Sequence, residues 1–143
     1  MSNNDLPSQN ITDWWIFTEG KKNQLHSKLL PEEQGILLIF VERDKIDKIW
    51  EIIKNADESG ELGTGAKVST KKATEQSPTS TDKNRHVICV YTRDCNDKED
   101  VTRIREGLKQ LGITWKIPYK SNRSTRHHKY IAKGDKRISD YYM

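Results

Sequence analysis

The stretch GILLIFVERDKIDKIWEIIKNADESGELGTGAKVST, residues 35–70, contains the strand and helix pattern from which the fold is predicted. It begins with a continuous apolar run, Ile36–Val41, which is typical of a strand buried on both faces. A helix from about Lys45 to Ala56 follows, with Asp44 as the expected N-cap. Ala66–Thr70 is then the second predicted strand. The helix prediction depends on four apolar residues at helical spacing: Ile46, Ile49, Trp50 and Ile53.

A second strand–helix–strand unit follows further along the chain. His86–Tyr91 is an apolar run that favours a strand, and Ile113–Tyr119 is the strand predicted to close the unit. The helix between them is predicted to end at Gly112. It is marked by a capping pair and an apolar stripe: Asn96 with Glu99, then Val101, Ile104, Leu108 and Leu111. Two such units indicate an α+β fold, with helices on one face of a curved, mainly antiparallel sheet.

The length of 143 residues fits one domain. Residues 1–12 are polar and predict a flexible N-terminal tail, and residues 13–143 predict a single α+β domain. The remaining predictions are two short strands and two polar loops: Trp14–Phe17, Tyr130–Ala132, Glu19–Gln34 and residues 71–85.

Composition argues against several classes of protein. No apolar run reaches the ~18 residues of a transmembrane helix. The first ten residues, MSNNDLPSQN, lack the basic start and apolar centre of a secretory signal. Cys89 and Cys95 have neither a CxxC nor a zinc spacing. We therefore expect a cytoplasmic protein with reduced thiols and no cofactor.

Positive charge is concentrated at the C-terminal end. Residues 116–143 contain eight Lys and Arg against two acids, Asp135 and Asp140, which gives +6. The whole chain has 25 Lys and Arg against 21 acids, so residues 1–115 contain 17 against 19, which gives −2. A local excess of this kind indicates an anion-binding face, and phosphate is the expected anion.

The segment KSNRSTR, residues 120–126, is the main phosphate-binding candidate. Lys120, Arg123 and Arg126 provide charge, and the arginine fork can hold two phosphate oxygens. Lys71 and Arg85 are expected to assist. The alternative is a solvated basic tail. Position favours the binding hypothesis, because the segment directly follows a predicted strand.

Acid–base chemistry has fewer candidates. His127 and His128 are adjacent and would point opposite ways on a strand, so we predict no metal site. Lys67 is a possible base if it is buried, since burial lowers the pKa of a lysine. The alternative for Lys67 is an ordinary solvated lysine. No catalytic residue is identified from these patterns alone.

Trp14 and Trp15 are the stacking candidates. On a strand, one ring faces the core and the other faces the opposite surface. An exposed tryptophan can stack on a nucleic-acid base. The alternative is that both rings are structural.

Three segments together resemble the basophilic leukaemia expressed protein family, often described as a phosphothreonine lyase domain. These are residues 35–70 quoted above, HVICVYTRDCNDKEDVTRIREGLKQLGI and YKSNRSTRHHKY. The order of the elements also resembles the fold of the eukaryotic cap-binding translation initiation factor. That resemblance implies a curved antiparallel sheet whose concave side takes a ligand.

The resemblance to the initiation factor also implies site residues. Lys71 matches a basic phosphate contact, and His86 lies near the position of a second one. The loop Gly20–Gln34, where the family places its second tryptophan, contains none. We therefore do not predict cap binding.

The leading hypothesis is a domain that binds a nucleotide or single-stranded nucleic acid on a basic concave face, without association with a membrane. The first alternative is a phosphothreonine lyase-like enzyme. Its catalytic candidates are Lys67, Lys120, His127 and His128. The second alternative is a protein-interaction module for acidic partners. Oligomeric state is not predicted.

Overall fold

The computed structural model describes residues 6–18, 34–62, 65–76, 83–94, 97–121 and 141–142. These contain six strands and three helices in the order β1 (Trp15–Phe17), β2 (Gly35–Glu42), α1 (Arg43–Glu58), β3 (Gly65–Ser69), α2 (Lys71–Gln76), β4 (Arg85–Thr92), α3 (Lys98–Gln110), β5 (Pro118–Ser121) and β6 (Tyr141–Tyr142).

All six strands form one antiparallel sheet in the order β1-β3-β4-β2-β5-β6. The two eight-residue strands β2 and β4 pair along their full length at the centre, from Gly35 opposite Thr92 to Glu42 opposite Arg85. The predicted α+β fold, a curved antiparallel sheet with helices on one face, is confirmed.

The hydrophobic core lies between one sheet face and the helices. Side chains alternate along each strand, so every second residue of β2 and β4 points to this core. Its fully or nearly fully buried residues include Leu37, Ile39 and Val41 from β2, Ile88 and Val90 from β4, Ile46, Trp50 and Ile53 from α1, and Val101, Ile104 and Leu108 from α3. The apolar stripes that predicted both helices are therefore the residues that attach them to the sheet.

The start of α1 differs from the prediction. The helix begins at Arg43, and its N-cap is Glu42, whose side chain makes no capping hydrogen bond. Asp44, the predicted cap, lies in the first turn. A carboxylate there still interacts favourably with the helix dipole.

A short helix, α2, occupies the start of the predicted loop over residues 71–85. Ala73 and Thr74 are buried, and the backbone N–H of Ala73 donates to Thr70 Oγ1 at 3.3 Å. This capping bond and the packing against the sheet outweigh the polar composition that predicted a loop. Residues 77–82 lie outside the described part of the chain.

The last predicted strand of the second unit is also shifted. β5 begins at Pro118, whereas Ile113–Tyr119 was predicted. The carbonyls of Ile113 and Trp115 accept hydrogen bonds from the buried Arg105 of α3, at 2.8 and 2.7 Å, instead of from a neighbouring strand. The helix ends as predicted, with Gly112 at φ 105°.

Residues 6–12, part of the predicted tail, contact the domain. The carbonyls of Pro7 and Asn10 accept from the backbone N–H groups of Lys71 and Lys72, at 2.9 and 3.1 Å. Ser8 donates to the Asp47 carboxylate of α1 through its backbone N–H, at 3.0 Å, and through its hydroxyl. These bonds connect residues 6–12 to α1 and α2.

Several predictions fall outside the described residues: the loop Glu19–Gln34 except Gln34, the strand Tyr130–Ala132, and the cap Asn96. The capping bond of α3 comes from Asp97, which accepts from the N–H of Asp100. Within the described ranges, no helix combines the length and apolar content needed to cross a bilayer.

Candidate functional site

The sheet face opposite α1 and α3, here called the outer face, carries both cations and aromatic rings. Strand alternation and register assign its members. They include Trp15 and Phe17 on β1, Lys67 and Ser69 on β3, Arg85, Val87, Cys89 and Tyr91 on β4, Ile36, Leu38, Phe40 and the exposed Glu42 on β2, and Lys120 on β5.

Lys67 lies between two aromatic rings of the outer face. Its Nζ is 4.0 Å from the ring centroid of Trp15 and 5.8 Å from that of Tyr91. Burial raises the pKa of Tyr91, and a hydrogen bond with Lys67 opposes that shift. The ammonium group therefore contacts residues of both neighbouring strands, β1 and β4.

Cys89 occupies the middle of the outer face, opposite Lys67 on one side and Leu38 on the other. Burial raises the pKa of its thiol to about 11, although the charges of Lys67 and Lys120 act in the opposite direction. The thiol is therefore protonated at neutral pH and behaves as a small apolar side chain.

Lys120 and Arg85 complete the positive charge of this face. Lys120 lies on β5 opposite Ile36. Because β4 and β2 lie between β3 and β5, the strand of Lys120 is three strand spacings, or roughly 14 Å, from the strand of Lys67. The guanidinium of the exposed Arg85 is 4.9 Å from the Phe40 ring centroid. Three cations from three strands thus surround an apolar and aromatic centre, and the exposed carboxylate of Glu42 lies opposite Arg85 at one edge of the face.

The structure brings together some of the sequence-predicted site residues. Lys120, Arg85 and Trp15 share the outer face with Lys67. Arg123, Arg126, His127 and His128 lie outside the described residues. Lys71 begins α2, beyond the end of β3.

Trp14 and Trp15 have different neighbours. Trp14 precedes β1, is 46% exposed, and lies 5.0 Å from Nζ of Lys72 on α2. Trp15 lies next to Lys67. Tyr91 was not among the site residues predicted from the sequence. Its place two positions after Cys89 on the same strand is the signal that would have found it.

His86, which the resemblance placed near a phosphate contact, is a fully buried residue on the core side of β4. Its Nδ1 lies 2.7 Å from the carbonyl oxygen of Ser69, and its Nε2 accepts from Nε of Arg43 at 3.2 Å. A guanidinium can only donate, so Nε2 carries no proton and the ring is neutral. Burial lowers the pKa of His86 below 6.5, and the charge of Arg43 lowers it further, against a rise from the Ser69 carbonyl, Asp47 and Glu75.

We expect the free energy of unfolding to decrease as the pH falls below 6.5. In this range the unfolded chain protonates His86 while the folded chain does not, so the unfolded state binds more protons. One proton contributes up to about 1.4 kcal/mol per pH unit. Urea titrations at several pH values between about 7 and 5.5 measure the effect. His86→Gln should show a shallower loss, and parallel curves for both proteins would contradict this explanation.

No group of three or more His, Cys, Asp or Glu able to hold a metal ion lies among the described residues. The described residues of the outer face supply ammonium and guanidinium donors beside aromatic rings. Such groups bind phosphate oxygens and stack on bases.

A sequence model of the family described as basophilic leukemia-expressed protein Bles03 matches residues 33–126. Among solved structures, Ascaris suum eIF4E-3 in complex with an m2,2,7G cap is similar with a TM-score of 0.57 and 20% identity, over 98% of this chain and 76% of that one. A schistosome eIF4E complexed with m7GpppA and 4E-BP has a TM-score of 0.55 and 18% identity, over 82% of this chain and 66% of that one.

The C. elegans eIF4E-3 in complex with the 4E-binding protein Mextli has a TM-score of 0.54 and 19% identity. The match covers 78% of this chain and 59% of that protein, so this chain spans about three fifths of its length. At these identities the similarity shows the fold, and the fold resemblance identified in the sequence is confirmed.

Proposed function

This chain belongs to the basophilic leukemia-expressed protein Bles03 family, and we propose that its outer face binds a phosphate-bearing ligand, a nucleotide or single-stranded nucleic acid. The observation that carries the proposal is the placement of Lys67, Arg85 and Lys120, from three strands, around aromatic rings on one face. The Ascaris and schistosome structures of the same fold contain cap nucleotides, which supports a ligand of this class.

In this proposal the phosphates lie between Lys67 and Lys120. Each ammonium group is a point charge on a long, adaptable stem, and the two lysines approach the face from opposite sides. The apolar residues between them, such as Ile36 and Leu38, offer phosphate no competing carboxylate. Arg85, at the start of β4, can hold a further phosphate of a longer nucleic-acid chain.

Arg123, Arg126 and Lys71 belong to the same proposal as further phosphate contacts. The two arginines follow Lys120 in the sequence and continue the positive charge beyond β5. For the base, a ring of Trp15 is the proposed stacking surface, with Trp14 as the alternative. Stacking tolerates any base, because every base has a flat π-face.

We expect the double variant Arg85→Gln/Lys120→Gln to bind a single-stranded oligonucleotide roughly tenfold or more weakly than wild type at low salt. Each lysine or arginine that contacts a phosphate contributes ~0.7 to the slope of log affinity against log salt. Removing two such contacts should therefore lower that slope by about 1.4. Fluorescence anisotropy over a series of salt concentrations measures both quantities.

Lys45→Gln/Lys48→Gln is the matched control, because it removes the same net charge from exposed positions on α1. Its affinity and salt slope should stay close to those of wild type. Equal losses in the two double variants would show that net charge, and not the outer face, determines binding. Unchanged affinity in Arg85→Gln/Lys120→Gln would contradict the assignment of the site.

A further inference from the structure

The Trp15 ring is already in contact with a positive charge. The ammonium group of Lys67 lies 4.0 Å from the Trp15 centroid, well within the range of a cation–π contact. The register opposite Cys89 places Lys67 on the same face as both rings, and its ammonium lies 5.8 Å from the centroid of Tyr91 on the other side. The protein's own cation therefore fills the position at which a ring of this kind attracts a cationic ligand.

A second ring on the outer face has the same arrangement. The guanidinium of Arg85 lies 4.9 Å from the centroid of Phe40. Two rings of the face, Trp15 on β1 and Phe40 on β2, are thus paired with internal cations from the neighbouring strands β3 and β4. Any further positive charge brought to these rings would meet a like charge at short range.

Nucleotide bases differ in whether their ring system carries a positive charge. Guanine is uncharged at neutral pH, whereas methylation at N7 gives the ring system a fixed positive charge. Stacking such a base on Trp15 would place its charge next to the Lys67 ammonium. An uncharged base meets no such repulsion, and its phosphates are attracted by the same ammonium group.

We propose that the outer face selects nucleotides with an uncharged base against N7-methylated guanine nucleotides, and that Lys67 is the specificity-determining residue. The proposal rests on the proposed function, since it assumes that a nucleotide binds on this face. This preference would distinguish the chain from the Ascaris and schistosome proteins of the same fold, whose structures contain m7G-type caps.

The test is a comparison of the dissociation constants of GTP and N7-methyl-GTP by isothermal titration calorimetry. Wild type should bind GTP more tightly, by roughly tenfold for two unit charges about 7 Å apart, on the two sides of the Trp15 ring, at a partly exposed site. Lys67→Met keeps the length of the side chain but removes its charge. It should weaken the binding of both ligands, through the lost phosphate contact, and bring their ratio close to one. Lys67→Arg keeps the charge and should keep the preference.

Lys72→Met is the matched control, because Lys72 makes the corresponding contact with Trp14, 5.0 Å from its centroid. Its ligand ratio should equal that of wild type. A wild-type preference for N7-methyl-GTP, an unchanged ratio in Lys67→Met, or a change in Lys72→Met would each overturn the inference while leaving nucleotide binding established. If neither ligand binds wild type, the proposed function fails and the inference fails with it.

Discussion

Gly35→Ala is expected to lower the free energy of unfolding by about 3–5 kcal/mol. A Cβ atom at this position would lie 1.9 Å from the hydroxyl oxygen of Tyr119, 2.4 Å from its Cζ and 2.9 Å from Oγ1 of Thr92. The Tyr119 ring is buried, and its hydroxyl is 2.6 Å from Thr92 Oγ1 in a buried hydrogen bond. The methyl group would therefore displace the ring and break that bond.

Gly107→Ala is the control on a helix. The nearest atom to its added Cβ is Cδ2 of Leu62 at 3.2 Å, the flexible end of a side chain. Alanine also favours a helix interior over glycine by about 0.8–1 kcal/mol, so the net change should be small. Tyr119→Leu should reduce the additional cost of Gly35→Ala in a double-mutant cycle. Strict additivity of the two substitutions, measured by urea unfolding, would contradict the clash.

Arg105→Met is expected to cost about 2–5 kcal/mol, since a buried carbonyl left without its donor costs about 1–3 kcal/mol and a second, part-buried carbonyl also loses its donor. Arg105 is only 2% exposed, and burial lowers the pKa of its guanidinium. Its two terminal nitrogens donate to the carbonyls of Ile113 and Trp115. Methionine fills much of the volume but donates no hydrogen bond.

Arg103→Met on the same helix provides the comparison. Arg103 donates to the carbonyls of Glu61 and Leu62, at 3.3 and 3.1 Å, but its side chain is 50% exposed. Water replaces these bonds when the side chain is removed, so the loss should stay below about 1 kcal/mol. Equal losses in the two variants, measured from urea unfolding midpoints, would show that burial of Arg105 is not what makes it important.

Gly35 and Arg105 also determine where the proposed site lies. Gly35 allows Tyr119 to pack across the start of β2, and Arg105 holds the segment that leads into β5. Lys120 follows Tyr119 directly on that strand. The position of this lysine on the outer face therefore depends on contacts made on the opposite side of the sheet.

The central part of the fold was predictable from the sequence because its apolar patterns are clear. The continuous run Ile36–Val41 has the length and composition of a strand, and the stripe from Ile46 to Ile53 has helical spacing. Three features were not predictable. Packing and the Thr70 cap produce α2, Arg105 replaces strand pairing for residues 113–115, and Glu42 takes the cap position. Each depends on contacts that are distant in the sequence or on competition between neighbouring residues.

The proposed site has the cationic and aromatic residue types that the sequence predicted, but the position of its residues could be predicted only in part. Charge counting pointed to residues 116–143, of which the structure describes 116–121 and 141–142. Lys120 is on the outer face, but the contacts of Lys67 with Trp15 and Tyr91 follow from strand register, which one sequence does not reveal. The lyase-like alternative stays a prediction, because its candidates His127 and His128 lie outside the described residues. The second alternative, a protein-interaction module for acidic partners, also stays a prediction.

The most direct test of the account is to locate the ligand on the sheet. In a titration with GTP, followed by NMR of labelled methyl groups, Ile36, Leu38 and Val87 report on the outer face. Ile52, exposed on α1, reports on the opposite side. We predict saturable shifts of the first three signals and an unchanged Ile52 signal. Binding that shifts Ile52 and leaves the outer-face methyl groups unchanged would contradict the account.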